Sequence, residues 1–128
     1  MNYLLDTHAW IEYADGSNKG KTVQTLLESE GHSFATVEPS LAEIRYWCAK
    51  KSRDFDAFLA VIRTNSSILP VSTEEWIESG EEKFEQRKKI KDIGLIDCVL
   101  LVKQKRMGAK IITGDPHFRH AKNVLYLK

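Results

Sequence analysis

Short apolar runs alternate along the chain with segments in which apolar residues recur every three or four positions. The clearest helical pattern is Phe55, Phe58, Leu59 and Ile62, which predicts a helix over 54–64. A short apolar run that ends at a polar residue is typical of a buried parallel strand. We place five such strands at residues 2–5, 32–37, 67–71, 110–113 and 124–127.

The segments between these strands carry helical spacing. Besides 54–64, helices are predicted over 7–13, 21–29, 39–51, 73–89 and 95–107, with a helical turn around 116–120 and a loop over 14–20. In the helix over 73–89, Trp76, Ile77 and Phe84 are expected to face inward, and Gly80 to allow close packing against a neighbour. Strands that alternate with helices predict an α/β fold, a parallel sheet with helices on both faces.

Composition limits the possible classes of protein. A chain of 128 residues with 42% hydrophobic residues is most simply one domain, residues 1–128, with one core. The 19 basic and 18 acidic residues give a net charge of +1, so a nucleic-acid surface would have to be a local basic stripe. Cys48 and Cys98 lie in apolar helical runs, which predicts buried free thiols in a reducing compartment. No apolar run is long enough to span a membrane, and we expect a cytoplasmic protein.

Four carboxylates lie where predicted strands pass into helices. Asp6 and Asp115 follow the strands at 2–5 and 110–113, and Glu43 and Asp97 lie early in helices. Each acid also has a purely structural explanation. Asp6 and Asp115 could cap helices, and Asp97 could be a favourable charge in the first turn of its helix. Glu43 could be the N3 residue of a capping box that begins at Ser40. In a parallel sheet all four would nevertheless meet at the carboxyl edge, where open α/β folds bind ligands.

Four like charges at one edge repel unless a cation lies between them. Oxygen ligands point to Mg²⁺ or Mn²⁺ rather than zinc, and such a site can activate a water to cut a phosphodiester bond. Thr7 and Thr113 could orient a carboxylate or a water, or only bond the backbone. Asp92 is a reserve ligand, and no histidine, including His8, His117 and His120, is expected to act as ligand or base.

The remaining charged residues have ordinary explanations as well as functional ones. Glu12, Asp15 and the glutamates of 74–85 are interpreted as solvated helix faces. Three basic clusters could either stabilise helix C-termini or hold phosphates, and the sequence does not decide which face each occupies. These clusters are Lys50, Lys51 and Arg53; Arg87, Lys88, Lys89 and Lys91; and Lys103, Lys105, Arg106 and Lys110.

Over essentially its whole length the chain resembles the PIN-domain ribonucleases, and among them the VapC-like toxins of toxin–antitoxin pairs. The resemblance rests on Leu4-Leu5-Asp6-Thr7, Ser40-Leu41-Ala42-Glu43-Ile44, Leu95-Ile96-Asp97-Cys98-Val99-Leu100-Leu101 and Ile111-Ile112-Thr113-Gly114-Asp115-Pro116-His117-Phe118. The last two segments, in this order and spacing, are the more specific. The run after Asp97 departs from the small residues common in the family, which should change packing and leave the chemistry intact.

The resemblance implies a three-layer α/β/α fold with a parallel sheet of four or five strands. It implies Mg²⁺- or Mn²⁺-dependent endonucleolytic cleavage of RNA, with Asp6, Glu43, Asp97 and Asp115 as the acidic residues and Thr113 as a supporting hydroxyl. It further implies a homodimer and a small antitoxin partner that covers the site. Two other hypotheses stay open at this point: a PIN-like domain that binds RNA or a partner without cutting, and a phospho-receiver signalling domain.

Overall fold

The structure, a computed structural model, describes all residues from 1 to 128. Its five strands are β1 Asn2–Leu5, β2 Ser33–Val37, β3 Ser67–Leu69, β4 Lys110–Thr113 and β5 Val124–Tyr126. Its six helices are α1 Thr7–Asp15, α2 Asn18–Glu28, α3 Glu38–Lys51, α4 Phe55–Asn65, α5 Thr73–Gln86 and α6 Leu95–Met107, and a short 3-10 turn covers Pro116–Phe118. All of the predicted strands and helices are therefore present, with differences mainly at their ends.

The five strands form one parallel sheet in the order β3-β2-β1-β4-β5. Side chains alternate across it as the strand period requires. Leu5 and Ile112 enter one apolar core with residues of α1 to α4, whereas Leu4 and Ile111 enter a second core with α6. Helices therefore cover both faces, which confirms the predicted three-layer α/β/α architecture and puts β1 and β4 at its centre.

The predicted loop over 14–20 is wrong, because α1 and α2 nearly meet. Gly16 ends α1 in a left-handed conformation with φ 64°, and the Ser17 side chain caps α2 by accepting from the Gly20 N–H. Gly20 lies inside α2 against the backbone of α1, where a Cβ atom would stand 2.0 Å from the Glu12 carbonyl oxygen. The glycine that looked like a loop residue thus permits close packing of two helices.

The predicted orientation of α5 is also wrong. Trp76, Ile77 and Phe84 are 40%, 72% and 67% exposed, whereas Glu75 and Ser79 are buried. Gly80 is not a close contact either, since a Cβ atom there would meet nothing within 4 Å. The helix turns a polar face toward α6, because ion pairs cross between the two helices.

Three of those ion pairs join acids of α5 to a basic cluster of α6. Their N–O distances are 2.9 Å for Glu75–Lys103, 2.8 Å for Glu78–Arg106 and 3.0 Å for Glu82–Lys105. The prediction of a solvated glutamate face is therefore wrong for Glu75, and these three basic residues serve the helix pair.

The remaining expectations about the core and the membrane can be compared directly. Cys48 and Cys98 are buried free thiols, as predicted. None of the helices combines the length and the apolar character that crossing a membrane requires.

Candidate active site

Asp6 lies at the carboxyl end of β1, the middle strand of the sheet, and is only 4% exposed. Its Oδ1 accepts a hydrogen bond of 2.8 Å from the Ala9 N–H, so Asp6 caps α1 as one of the alternatives proposed. Its Oδ2 accepts a hydrogen bond from the Thr113 hydroxyl at the end of the adjacent β4. Helix α1 therefore holds one oxygen of this carboxylate, and the adjacent strand β4 holds the other.

Burial raises the pKa of Asp6 from an ordinary 3.8 to about 7. The hydrogen bonds from Thr113 and Ala9 oppose that shift, whereas the neighbouring charges of Asp115 and Asp97 add to it. A buried carboxylate next to two others carries its charge at a cost, which a nearby cation would remove.

Asp97 lies in the first turn of α6, as predicted. Its Oδ2 accepts from the Gly94 N–H at 3.3 Å and lies 3.2 Å from Nδ1 of His117. Burial raises the pKa of Asp97, and repulsion from Asp115 adds to the rise while the bonds from Gly94 and His117 oppose it.

Asp115 follows β4 and begins the 3-10 turn with Pro116 at its first position. Its backbone N–H donates to the Thr113 hydroxyl at 2.9 Å, and its Oδ1 accepts from the His117 N–H at 2.9 Å. Because Thr113 in turn donates to Asp6, one hydroxyl joins the two acids that follow the central strands.

Glu43 reaches the same edge from α3. Its Oε1 accepts a hydrogen bond of 2.6 Å from the Thr7 hydroxyl. Burial raises the pKa of Glu43 against the effect of that bond, and the charges of Asp97 and Asp115 raise it further. The charges of Asp97 and Asp115 raise the pKa values of both Asp6 and Glu43, so each of these two acids lies within electrostatic reach of Asp97 and Asp115.

The capping box proposed for Glu43 is wrong. Helix α3 begins at Glu38, with Val37 as its N-cap and Pro39 in its first turn, where the missing N–H of proline costs no helical hydrogen bond. Ser40 therefore lies inside the helix, and its buried hydroxyl has no hydrogen-bond partner. Glu43 therefore does not form the capping hydrogen bond that would have given it a purely structural role.

His117, which was not expected to act as a ligand or base, lies beside the acids. Its Nδ1 lies 3.2 Å from Oδ2 of Asp97 and 3.4 Å from Oδ1 of Asp115. The sequence signal for this position was Asp115-Pro116. An aspartate side chain that accepts from the N–H two residues later forms a tight turn, and this turn places His117 beside Asp115. His120 is exposed, and so is Asp92, which has no hydrogen bond or ion pair to the four acids.

His8 was expected to face solvent or the core, and it lies partly exposed beside Gly114. A Cβ atom at Gly114 would stand 2.6 Å from Cε1 of the His8 ring, so only glycine leaves room for this contact. Nδ1 of His8 is buried without a partner. Gly114 thereby lets the segment between Thr113 and Asp115 pack directly on α1.

The donor groups at this edge fit a divalent cation. No lysine or arginine forms an ion pair with Asp6, Glu43, Asp97 or Asp115. One ligand atom each from Asp97, Asp115 and His117 lie within 4.8 Å of one another. Carboxylate oxygens suit Mg²⁺ and Mn²⁺, and the imidazole nitrogen is a ligand that transition metals also accept.

Comparison with known proteins finds one family that matches most of the chain. The family model described as PIN domain matches residues 3–124. The sequence finds no match among curated proteins.

Solved structures are similar over almost the entire chain. A VapBC2 complex from Rickettsia felis, bound to a DNA fragment from its promoter, is 21% identical with TM-score 0.75, covering 98% of this chain and 97% of its own. VapC20 from Mycobacterium tuberculosis, described as a sarcin-ricin loop cleaving toxin, is 17% identical with TM-score 0.78, covering 95% and 96%. A DNA-bound VapBC from Salmonella typhimurium is 19% identical with TM-score 0.71, covering 100% and 99%. At these identities the structures show a shared fold.

Proposed function

The chain belongs to the PIN domain family, and from that premise we propose that it is a metal-dependent endoribonuclease, the toxin of a toxin–antitoxin pair. The observation that carries the proposal is a set of four carboxylates at one sheet edge with no lysine or arginine counter-ion. Burial and mutual repulsion raise the pKa values of three of them, Asp6, Glu43 and Asp97. Clustered acids with raised pKa values in an edge site are typical of a functional centre.

We assign Asp6, Glu43, Asp97 and Asp115 as the residues that hold Mg²⁺ or Mn²⁺, with His117 beside them. When bound, such an ion neutralises the carboxylates, offsets phosphate charge and lowers the pKa of a water, which is the chemistry that phosphodiester hydrolysis needs. Thr113 serves as a positioning residue, since its hydroxyl donates to Asp6 and accepts from the Asp115 N–H at 2.9 Å. These contacts hold the acids in place before any ligand arrives.

Glu43 is our candidate for accepting a proton from the attacking water. Its Oε1 is held by Thr7, whereas its Oε2 has no hydrogen-bond partner and can receive a proton.

The partners and surroundings follow from the same proposal. Structures similar to this chain include two DNA-bound VapBC complexes and one described as a toxin–antitoxin complex. We therefore propose a small antitoxin partner, a homodimer of single-domain chains spanning residues 1–128, and a cytoplasmic setting.

A non-cleaving domain that binds RNA or a partner is the remaining alternative, and metal-dependent cleavage would exclude it. The phospho-receiver hypothesis is excluded by the family match. The fold agrees with that exclusion. A phospho-receiver needs an acceptor aspartate after a middle strand, whereas the third strand of this chain, β3, lies at the edge of the sheet and ends at Leu69 without an acid.

The experiment incubates purified chain, free of partners, with end-labelled total RNA in Mg²⁺, Mn²⁺, Zn²⁺ or EDTA. We expect discrete cuts with Mg²⁺ or Mn²⁺ and none with EDTA. Asp97→Asn should reduce the rate about a hundredfold or more, because a metal stabilises transition-state charge by several kcal/mol.

The matched control is Asp92→Asn, the same change at an exposed aspartate close in sequence, which should cut at the wild-type rate. Circular dichroism would verify that both variants fold. Full activity of Asp97→Asn, or equal loss in both variants, would contradict the assignment of the site.

A further inference from the structure

A second concave surface lies beside the acids, between α5–α6 and the segment from Pro116 to Asn123. It is a cleft of about 760 Å³, within the range of roughly 300–1,000 Å³ that ligand sites occupy. It begins at His117 and runs along the sheet to the amino end of β4 at Lys110. We call it the basic cleft, for the lysines described next.

Positive charge dominates the basic cleft. Lys89, Lys105, Lys110 and Lys122 line it, and its one acid, Glu82, is already paired with Lys105 at 3.0 Å. Lys89, Lys110 and Lys122 form no ion pair with any acid of the chain. The chain as a whole carries a net charge of only +1, so this surplus is local.

The wall that carries Lys122 is held by a buried side chain. Nε2 of Gln104, a residue only 6% exposed, donates to the carbonyl oxygens of Lys122 at 2.8 Å and Asn123 at 2.6 Å. The backbone around Lys122 is thereby tied to α6. The opposite wall includes the partly exposed aliphatic side chain of Ile90, against which a planar base can lie.

The basic cleft adjoins the carboxylates through His117. None of the four acids lines the cleft, but His117 does, and the Nδ1 atom of its ring lies 3.2 Å from Oδ2 of Asp97. A linear polymer that extends from the acids past His117 therefore enters the basic cleft, where it meets the unpaired lysines. Phosphates spaced along such a chain supply the charge that complements them.

We propose that the basic cleft binds the single-stranded RNA that flanks the scissile phosphate, with Lys89, Lys110 and Lys122 contacting its backbone. This assignment rests on the proposed ribonuclease function and specifies where its substrate lies. The contacts are with phosphates, so they position the strand and contribute affinity without reading sequence.

The test measures binding and not cleavage. Fluorescence anisotropy of a labelled single-stranded RNA oligonucleotide in EDTA, over a salt series, compares wild type with the triple variant Lys89→Gln/Lys110→Gln/Lys122→Gln. Counter-ion release predicts about fourfold weaker binding per lysine at about 0.15 M salt, hence about 50-fold for three. The slope of log K against log salt should fall by about 2.

The matched control is Lys21→Gln/Lys50→Gln/Lys51→Gln, three exposed lysines outside the cleft that form no ion pair. Control binding within about twofold of wild type, with the loss confined to the cleft variant, supports the proposal. Equal loss in both variants, no loss in the cleft variant, or no RNA binding by wild type overturns it. Cleft-dependent binding by a wild type that cuts no RNA would reject the nuclease and leave the basic cleft standing.

Discussion

Two regions of the molecule contain clusters of acids, and the pKa values of their buried carboxylates shift in opposite directions. Between α5 and α6, Glu75 lies 2.9 Å from the Lys103 ammonium, and two further ion pairs accompany it. Burial works to raise the pKa of Glu75, but hydrogen bonds from Ser72 and Lys103 outweigh it and hold that pKa below its usual range. At the sheet edge, Asp6 has no basic partner and its pKa rises to about 7.

The difference separates acids whose charge stabilises the fold from acids whose charge is unfavourable within it. A lowered pKa means that the native state favours the ionised carboxylate, whereas a raised pKa means that ionisation costs stability. Both regions contain several acids close together, so residue type and local charge density do not distinguish them. They differ in whether a basic side chain lies beside the buried acid.

The largest test of this contrast is the pH dependence of stability. Because the folded pKa of Asp6 is about 7 and its ordinary value is 3.8, the native state binds the extra proton between these values. The free energy of unfolding of metal-free protein should therefore fall by roughly 4 kcal/mol from this group as pH rises through that window. Urea unfolding from pH 4 to pH 8 measures it.

Asp6→Asn is the matched variant for that profile. It should lack this fall and exceed wild type in stability at pH 8, and Mg²⁺ should stabilise wild type there more than the variant. Parallel profiles for the two proteins would show that Asp6 titrates normally and would remove the contrast.

The second test breaks the pair that satisfies a buried acid. Lys103→Met leaves Glu75 buried without its counter-ion, since the two side chains are 11% and 9% exposed. We expect a loss of about 3 kcal/mol in the free energy of unfolding. Adding Glu75→Gln should recover most of it, and a loss below about 1 kcal/mol in Lys103→Met would contradict the assigned role.

The smallest effect is expected at the exposed pair of the same two helices. Arg106 and Glu78 are 47% and 42% exposed. Arg106→Gln should cost less than about 1 kcal/mol, because water already screens an exposed pair. The loss should shrink further in high salt; a cost equal to that of Lys103→Met would mean that burial does not set the strength of these pairs.

Most of the fold could be predicted because its central strands carry strong local signals. The apolar runs that end at Asp6 and Thr113 give β1 and β4 within the observed bounds, and parallel pairing then brings their acids together. Helix α5 could not be predicted in orientation, because its inward face is polar. The spacing of apolar residues indicates which face of a helix is apolar. In α5 the buried face is the polar one, because Glu75 pairs with Lys103 of α6, and the sequence of α5 alone does not contain that contact.

The four acids were expected to meet at one edge of the sheet, where the structure brings them together, whereas the place of His117 beside them was not expected. Asp6, Asp97 and Asp115 are positioned by strand ends and helix starts, which the sequence marks. His117 is positioned by a short turn whose side-chain hydrogen bond, from its N–H to Asp115 at 2.9 Å, sets where the ring points. The spacing of residues in the sequence carries no information about the direction in which this ring points.

The hydrogen bond from Thr113 to Asp6 joins residues that are 107 positions apart. β4, which pairs with β1, follows it in the chain after two other strands and all six helices. A ribosome builds a chain from its amino end, so all of these elements are synthesised before Asp6 can meet either Thr113 or Asp115. The acid cluster is therefore absent from any nascent chain that has not yet reached β4.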